Sequence, residues 1–214
     1  MSKRIGVLGS GQVAQVLAAG FKKHGHDVRI GSREPHKLSE FAGKSGIATG
    51  TFAETAAHGA LLVLAVKGSG AAAALELAGP RNLDGKIIID TTNPIADAPP
   101  DHGVIRYFTA ANDSLMEQLQ KAVPGARFVK AWNSIGNAFM VNPAFPGGPP
   151  TMFICGNDAT AKTEVTAILD QFGWAAEDMG MVESARAIEP LCQLWCAPGM
   201  LRGQWAHAFK LLKL

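Results

Sequence analysis

The chain is poor in several features that would assign it early to a protein class. It has three cysteines, Cys155, Cys192 and Cys196, which give no disulfide framework. Cys192 and Cys196 share a helix face, but no His or Cys set completes a metal site around them, so they read as buried thiols. Charge of one sign is also scarce. Twenty Lys and Arg against 18 Asp and Glu leave a net charge of +2, and no basic run exists to carry nucleic-acid binding. The longest apolar runs, such as Leu61–Val66, are far too short to cross a bilayer. The first strand pattern starts within three residues, which leaves no room for a signal peptide. These absences predict a soluble, cytoplasmic protein with no nucleic-acid or membrane partner. Hydrophobic content of 47% against 18% charged residues fits a globular chain with a large core rather than a disordered one.

Glycine is abundant, and its placement at the start of the chain organises the rest. Lys3–Leu8 is short, apolar and β-prone, and it runs into Gly9-Ser10-Gly11-Gln12-Val13-Ala14 and then a helical pattern from Gln12 to His24. A second strand, Asp27–Gly31, ends at Ser32-Arg33. This is a β-turn-α-β unit with the G-x-G-x-x-A form of the dinucleotide fingerprint. Gly9 permits the tight turn, Gly11 clears space for a pyrophosphate, and Ala14 allows close helix–strand packing. The helix N-terminus then faces the phosphates, with Ser10, Gln12 and Val13 beside them. An NAD site usually has an acid at the end of the second strand to accept from the ribose hydroxyls. Here Ser32, Arg33 and Lys37 stand instead, groups that suit a 2′-phosphate. The cofactor reading is NADP(H).

Strand and helix patterns continue to alternate. A helix is expected over Pro35–Lys44, a short strand over Ile47–Thr51, a brief helix over Phe52–His58 and a fully apolar strand over Ala60–Val66. A helix to Ala78 and a strand over Lys86–Asp90 follow. Such alternation predicts a doubly wound, mainly parallel Rossmann-type sheet with ligands at the strands' carboxyl ends. That rule makes Val66, Lys67 and the Thr91-Thr92-Asn93-Pro94 stretch candidates, with Asn93 for a carboxamide or a substrate polar group. An Asx or ST turn that merely stops the strand is the bland alternative. His102 lies in the following loop and reads as solvated. Asn112 or Asp113 should cap a helix to Lys121. A strand over Phe128–Asn133 carries Lys130, Trp132 and Asn133 at its end, again ligand-facing, with Trp132 also readable as core.

Thr151–Cys155 and Trp174–Asp178 are expected to extend the sheet, joined by a helix from Asp158 to Phe172. From Glu183 the pattern turns helical, over Ala185–Trp195 and Leu201–Leu212, with a break at Ala197-Pro198-Gly199. The division is thus a nucleotide-binding domain over 1–182 and a small helical segment over 183–214. The apolar stripe of that segment reads as core or as the interface of a homodimer.

With these motifs assembled, the chain resembles the coenzyme F420-dependent NADP oxidoreductase family, itself similar to the cytoplasmic reductase domain of the STEAP metalloreductases. The matching stretches are Ile5–Gly11, Gly31-Ser32-Arg33, Asp90–Pro94, Lys130–Asn133 and Cys155–Ala159, in order along essentially the whole chain. The resemblance implies direct hydride transfer between a nicotinamide and a stacked deazaflavin (F420) or flavin, with catalysis from ring positioning rather than acid–base residues. No catalytic side chain is assigned. It also implies NADP contacts at Ser10, Ser32, Arg33 and Lys37, and contacts along the cofactor trough at Val66 and Ala131. Two other readings stand beside it. Pyrroline-carboxylate, imine and β-hydroxyacid reductases open with the same unit but append a long helical domain, for which this chain has little length. A non-catalytic NADPH-sensing protein would need the nucleotide pocket without a second cavity.

Overall fold

The computed structural model describes residues 2–214. Its frame is a six-stranded, all-parallel sheet: β1 (Arg4–Leu8), β2 (Asp27–Gly31), β3 (Ala48–Gly50), β4 (Leu61–Leu64), β5 (Ile87–Asp90) and β6 (Arg127–Lys130), in the order β3-β2-β1-β4-β5-β6. That order reverses between β1 and β4, which opens a crevice at their carboxyl ends.

Period-two alternation distributes the apolar strands between two cores. Leu61, Val63, Ile87 and Ile89 join one core with Leu17 and Phe21 of α1 (Gln12–Lys23). Leu62, Leu64 and Ile88 join the other with Phe52 and Ala56 of α3 (Phe52–His58). Helix α2 (Ser39–Ser45) is preceded by a separate 3₁₀ turn over Pro35–Leu38, where one continuous helix was expected. Two short helices, α4 (Ala71–Ala78) and α5 (Pro80–Leu83), lead into β5. Helix α6 (Leu115–Ala122) is capped by Ser114, whose hydroxyl accepts from Glu117 N, and not by Asn112 or Asp113. Asp113 instead accepts from Ser114 N.

The last third departs from expectation in two places. Strands β7 (Thr151–Ile154) and β8 (Ala175–Asp178) pair with each other in a separate two-stranded sheet, linked by α7 (Ala159–Gln171). They do not extend the main sheet. After β6 the chain turns at Trp132, whose φ is 57°, and among the described residues a single antiparallel bridge, Lys130 to Cys155, joins the sheets. The backbones cross so closely there that a Cβ on Gly156 would stand 2.4 Å from the Phe128 oxygen.

The second departure is the C-terminus. Helix α8 (Ala185–Ile188) passes through Glu189 into α9 (Pro190–Arg202), which continues across Pro198 where a break was expected. It stops at Gly203, in left-handed geometry at φ 67°. Beyond it the expected helix over Leu201–Leu212 is absent. The tail runs alongside β7: Thr151 N donates to Phe209 O at 2.9 Å, and Leu211 N to Thr151 Oγ1 at 3.0 Å. The apolar spacing was real, but it serves aromatic packing, with Trp205 and His207 both lying against Trp195. Among the described residues no helix is long and apolar enough to cross a membrane.

Candidate dinucleotide site

The two fingerprint glycines are glycine for different reasons. Gly9 has φ 146°, and a Cβ there would lie 2.1 Å from Ala65 O and 3.1 Å from the Ala14 Cβ. The protein itself fills that space. Gly11 has an ordinary extended backbone at φ −74°, and a Cβ on it would meet nothing within 4 Å. No packing requires glycine there, and the space left opens onto two adjoining cavities.

Helix α1 begins at the same point. Thr51, Ser114 and Asp158 cap their helices with side-chain oxygens, but Gly11 offers α1 no side-chain cap, and the first turn carries no acid. Its leading N–H groups are therefore free to bind an anion, with the positive end of the helix dipole behind them. The chain's residues fit a dinucleotide pyrophosphate here.

The first cavity, of about 260 Å³, spans the ends of β1, β2 and β4 and is lined by Gly9, Ser10, Gly11, Ser32, Arg33, Glu34, Lys37, Phe52, Ala65, Val66 and Lys67. Ser32 is buried, and its hydroxyl accepts from Glu34 N at 3.1 Å and lies 3.4 Å from Ser10 Oγ. Lys37 donates to Glu34 at 2.6 Å. That hydrogen bond, against a smaller opposing effect of burial, holds the Glu34 carboxyl below its usual range. Arg33 is exposed and has no acidic partner among the described residues.

The second cavity, of about 420 Å³, lies beyond Gly11 along the β4 and β5 ends. Gln12, Val13, Val66, Lys67, Gly68, Thr91, Thr92, Asn93 and Ile95 line it, and Gly11, Ala65, Val66 and Lys67 belong to both cavities. Lys67 also pairs with Asp97 of the segment after β5. Asn93 is locked to the β6 end: its Nδ2 donates to Asn133 O at 2.7 Å, and its Oδ1 accepts from Asn133 Nδ2 at 3.2 Å. Asn133 Nδ2 donates also to Ile188 O at 3.0 Å, while its Oδ1 is buried without a partner. Trp132 packs into the core against Phe21 and Phe172 rather than facing a ligand.

Behind this wall lies a buried ion cluster. Asp90 and Lys130 are register partners on β5 and β6, and both side chains are fully inaccessible. Lys130 Nζ stands 2.6 Å from Asp90 Oδ2, 2.8 Å from Glu189 Oε1 and 2.8 Å from Thr92 O. Burial works against the ammonium, but the two carboxylates outweigh it, so its pKa lies above the ordinary lysine value. Asp90 Oδ1 accepts from Thr92 N and Thr92 Oγ1. Glu189 accepts from Leu115 N and Met116 N at the start of α6. Tyr107 closes the same corner, donating to Glu189 O at 2.6 Å.

Of the residues singled out from sequence, Gly9, Ser10, Gly11, Gln12, Val13, Ser32, Arg33, Lys37, Val66, Lys67, Thr91, Thr92 and Asn93 line the two cavities, whereas Pro94, Ala131, Trp132 and Asn133 line neither. Ala131 is wholly buried in the core, where its N–H donates to Asp90 O, and it lines neither cavity. Sequence reasoning missed Phe52, Gly68 and Ile95, which carry no signal beyond following or facing strand ends. It also missed the ion cluster. Asp90 and Lys130 close successive parallel strands and were readable as a register pair, but nothing in the sequence points to Glu189.

The chain is similar to known proteins along its whole length. Residues 4–94 match the family described as NADP oxidoreductase, coenzyme F420-dependent. A crystal structure from Arthrobacter sp. FB24, described as a candidate F420-dependent NADP reductase, superposes with a TM-score of 0.92 at 33% identity, covering 99% of this chain and 100% of that one. Metalloreductase STEAP3 of Rattus norvegicus is 30% identical over 92% of this chain but 39% of its own length. The chain spans about two fifths of the curated relatives it matches. An imine reductase from Myxococcus stipitatus, solved with NAD⁺, shares the fold at 19% identity and a TM-score of 0.68, over 95% of this chain and 63% of that one. The cradle at Gly11 and the likeness to the Arthrobacter structure converge: this chain belongs to the family of F420-dependent NADP oxidoreductases.

Proposed function

We propose that the chain transfers a hydride between NADP(H) and a small ring-bearing partner of the F420 or flavin class. The observation that carries this reading is the open cradle at Gly11. It joins a cavity with a free guanidinium at one end to a larger cavity at the other. Arg33 is placed to meet a 2′-phosphate, and the uncapped start of α1 to meet the pyrophosphate. A bound nicotinamide would supply or take up the hydride. The protein's part is to hold the two rings in register and keep water out. Thr91 braces the site by donating from both N and Oγ1 to Leu64 O. The paired Asn93 and Asn133 side chains hold the β5 and β6 ends together as a rigid wall. Neither imine-reductase nor sensor chemistry has a feature here that favours it over this reading.

The test is a titration with NADPH and NADH, followed by addition of F420, FMN or FAD while the reduced-nicotinamide absorbance is recorded. Selective NADPH binding, with oxidation once F420 or a flavin is present, is expected. Tight NADPH binding with no oxidation by any of these acceptors would overturn the hydride-transfer reading, and no binding would overturn the site.

A further inference from the structure

The buried cluster behind the second cavity is not electrically balanced. Its members are two carboxylates and one ammonium, and Lys130 is the sole ion-pair partner of Asp90 and Glu189 among the described residues. Both carboxylates serve as acceptors. Asp90 Oδ1 receives two donors from Thr92, Asp90 Oδ2 faces Lys130 Nζ, and Glu189 receives Leu115 N, Met116 N and Lys130 Nζ. The start of α6 offsets part of the excess charge, because a helix N-terminus carries about half an elementary positive charge.

Three titratable groups beside the cluster, Cys155, Tyr107 and Cys192, add no charge at neutral pH. Burial pushes the Cys155 thiol up to about 12, and burial likewise raises the Tyr107 phenol. The Cys192 thiol is raised first by its hydrogen bond with Cys196 and then by burial. All three are neutral, so the cluster keeps a net negative charge inside a low-dielectric wall, where charge acts strongly.

That charge lies one residue from the cavity. Thr92 lines the cavity, while its N and Oγ1 bind Asp90 and its carbonyl binds Lys130. Buried ion clusters contribute little to stability compared with well-packed apolar residues, so stability gives this one little reason to exist. We infer that the Asp90–Lys130–Glu189 cluster, with its uncompensated negative charge behind the Thr92 wall, favours the cationic oxidised nicotinamide over the neutral reduced one. The inference rests on the proposed function and takes the nicotinamide to occupy the second cavity, at the opposite end from Arg33. Its consequence lies in the enzyme-bound equilibrium: stabilising the oxidised form makes bound NADPH the stronger hydride donor within the complex, while the net direction follows the concentrations of the free cofactor and partner.

Dissociation constants of NADP⁺ and NADPH, measured by calorimetry on the full chain, test this without turnover. The wild type is expected to bind NADP⁺ more tightly than NADPH. Glu189→Gln and Asp90→Asn each remove one negative charge and should shift the affinity ratio toward NADPH by about fivefold, the scale of one charge acting across roughly 10 Å of mixed protein and solvent. Glu164→Gln removes a negative charge from the surface pair with Lys3 and should leave the ratio alone. A ratio unmoved in variants that melt cooperatively would overturn the inference. So would a wild type that prefers NADPH, whether or not the variants fold. A wild type that binds neither form would instead overturn the nucleotide reading beneath it, and this inference with it.

Discussion

Lys37 Nζ lies 2.6 Å from Glu34 Oε1, and that pairing divides the work at the adenosine end of the trough unequally. Lys37 is already neutralised by its neighbour, whereas Arg33 beside it has no acidic partner among the described residues. On the proposed NADP(H) reading, Arg33 is therefore the principal contact for the 2′-phosphate. Arg33→Ala should cost NADPH binding about 1.5–3 kcal/mol, the worth of a charge-assisted hydrogen bond, and leave NADH nearly unaffected. Lys37→Ala should cost less, and Glu34→Gln should tighten NADPH binding by freeing Lys37. Dissociation constants for both cofactors decide the matter. Equal losses for NADPH and NADH in Arg33→Ala would remove the 2′-phosphate role.

The two glycines of the fingerprint should fail differently. Gly9→Ala forces a side chain into left-handed geometry and against Ala65 O, 2.1 Å away, so it should destabilise the fold by at least about 2 kcal/mol. Gly11→Val enters empty space and should melt within a few degrees of the wild type while losing nucleotide binding. Thermal melts beside NADPH titrations separate the two. A Gly11→Val chain that still binds would make the fingerprint a structural turn only.

Much of this was legible in the sequence because it is local. Thr51 and Glu54, three residues apart, form a capping box at the start of α3, and that helix falls where the pattern put it. Leu61–Leu64 is apolar on both faces, as a central parallel strand must be. What was not legible depends on contacts between distant residues. Glu189 is a surface-type residue by composition and is buried because Lys130 and the first amides of α6 await it. The helical spacing of Trp205, Phe209 and Leu212 says nothing of the Gly203 turn that diverts the tail onto Thr151. Periodicity reports which residues are apolar and not what they pack against.

That tail gives a third prediction. Ending the chain at Gly203 would remove the His207 ring stacked on Trp195 at 5.0 Å and the hydrogen bonds of Phe209 and Leu211 to Thr151. Loss of roughly 2–4 kcal/mol is expected, from exposed aromatic surface and an unpaired edge strand. Urea denaturation measures it. An unchanged midpoint would show that the tail contributes nothing to the fold.

The last prediction concerns pH. Arg186 holds Glu117 with two hydrogen bonds, at 3.0 Å to Oε2 and 2.6 Å to Oε1, and Ser114 donates to Oε2 at 2.7 Å. The Glu117 side chain is only 7% exposed, and the arginine bonds, opposed by burial, hold its carboxyl below the ordinary value of 4.5. A lowered carboxylate pKa contributes stability that is fully present above the unfolded value and is lost as pH falls through the folded one. Arg186→Met should therefore lower stability at neutral pH, where it leaves a nearly buried carboxylate short of its cation. The penalty should shrink as pH falls through the window below 4.5, because a protonated Glu117 no longer needs the guanidinium. Denaturation curves for wild type and variant at neutral and acid pH test the sign directly. A penalty that stays constant or grows on acidification would mean that Arg186 acts by packing its stem over α6 rather than by charge.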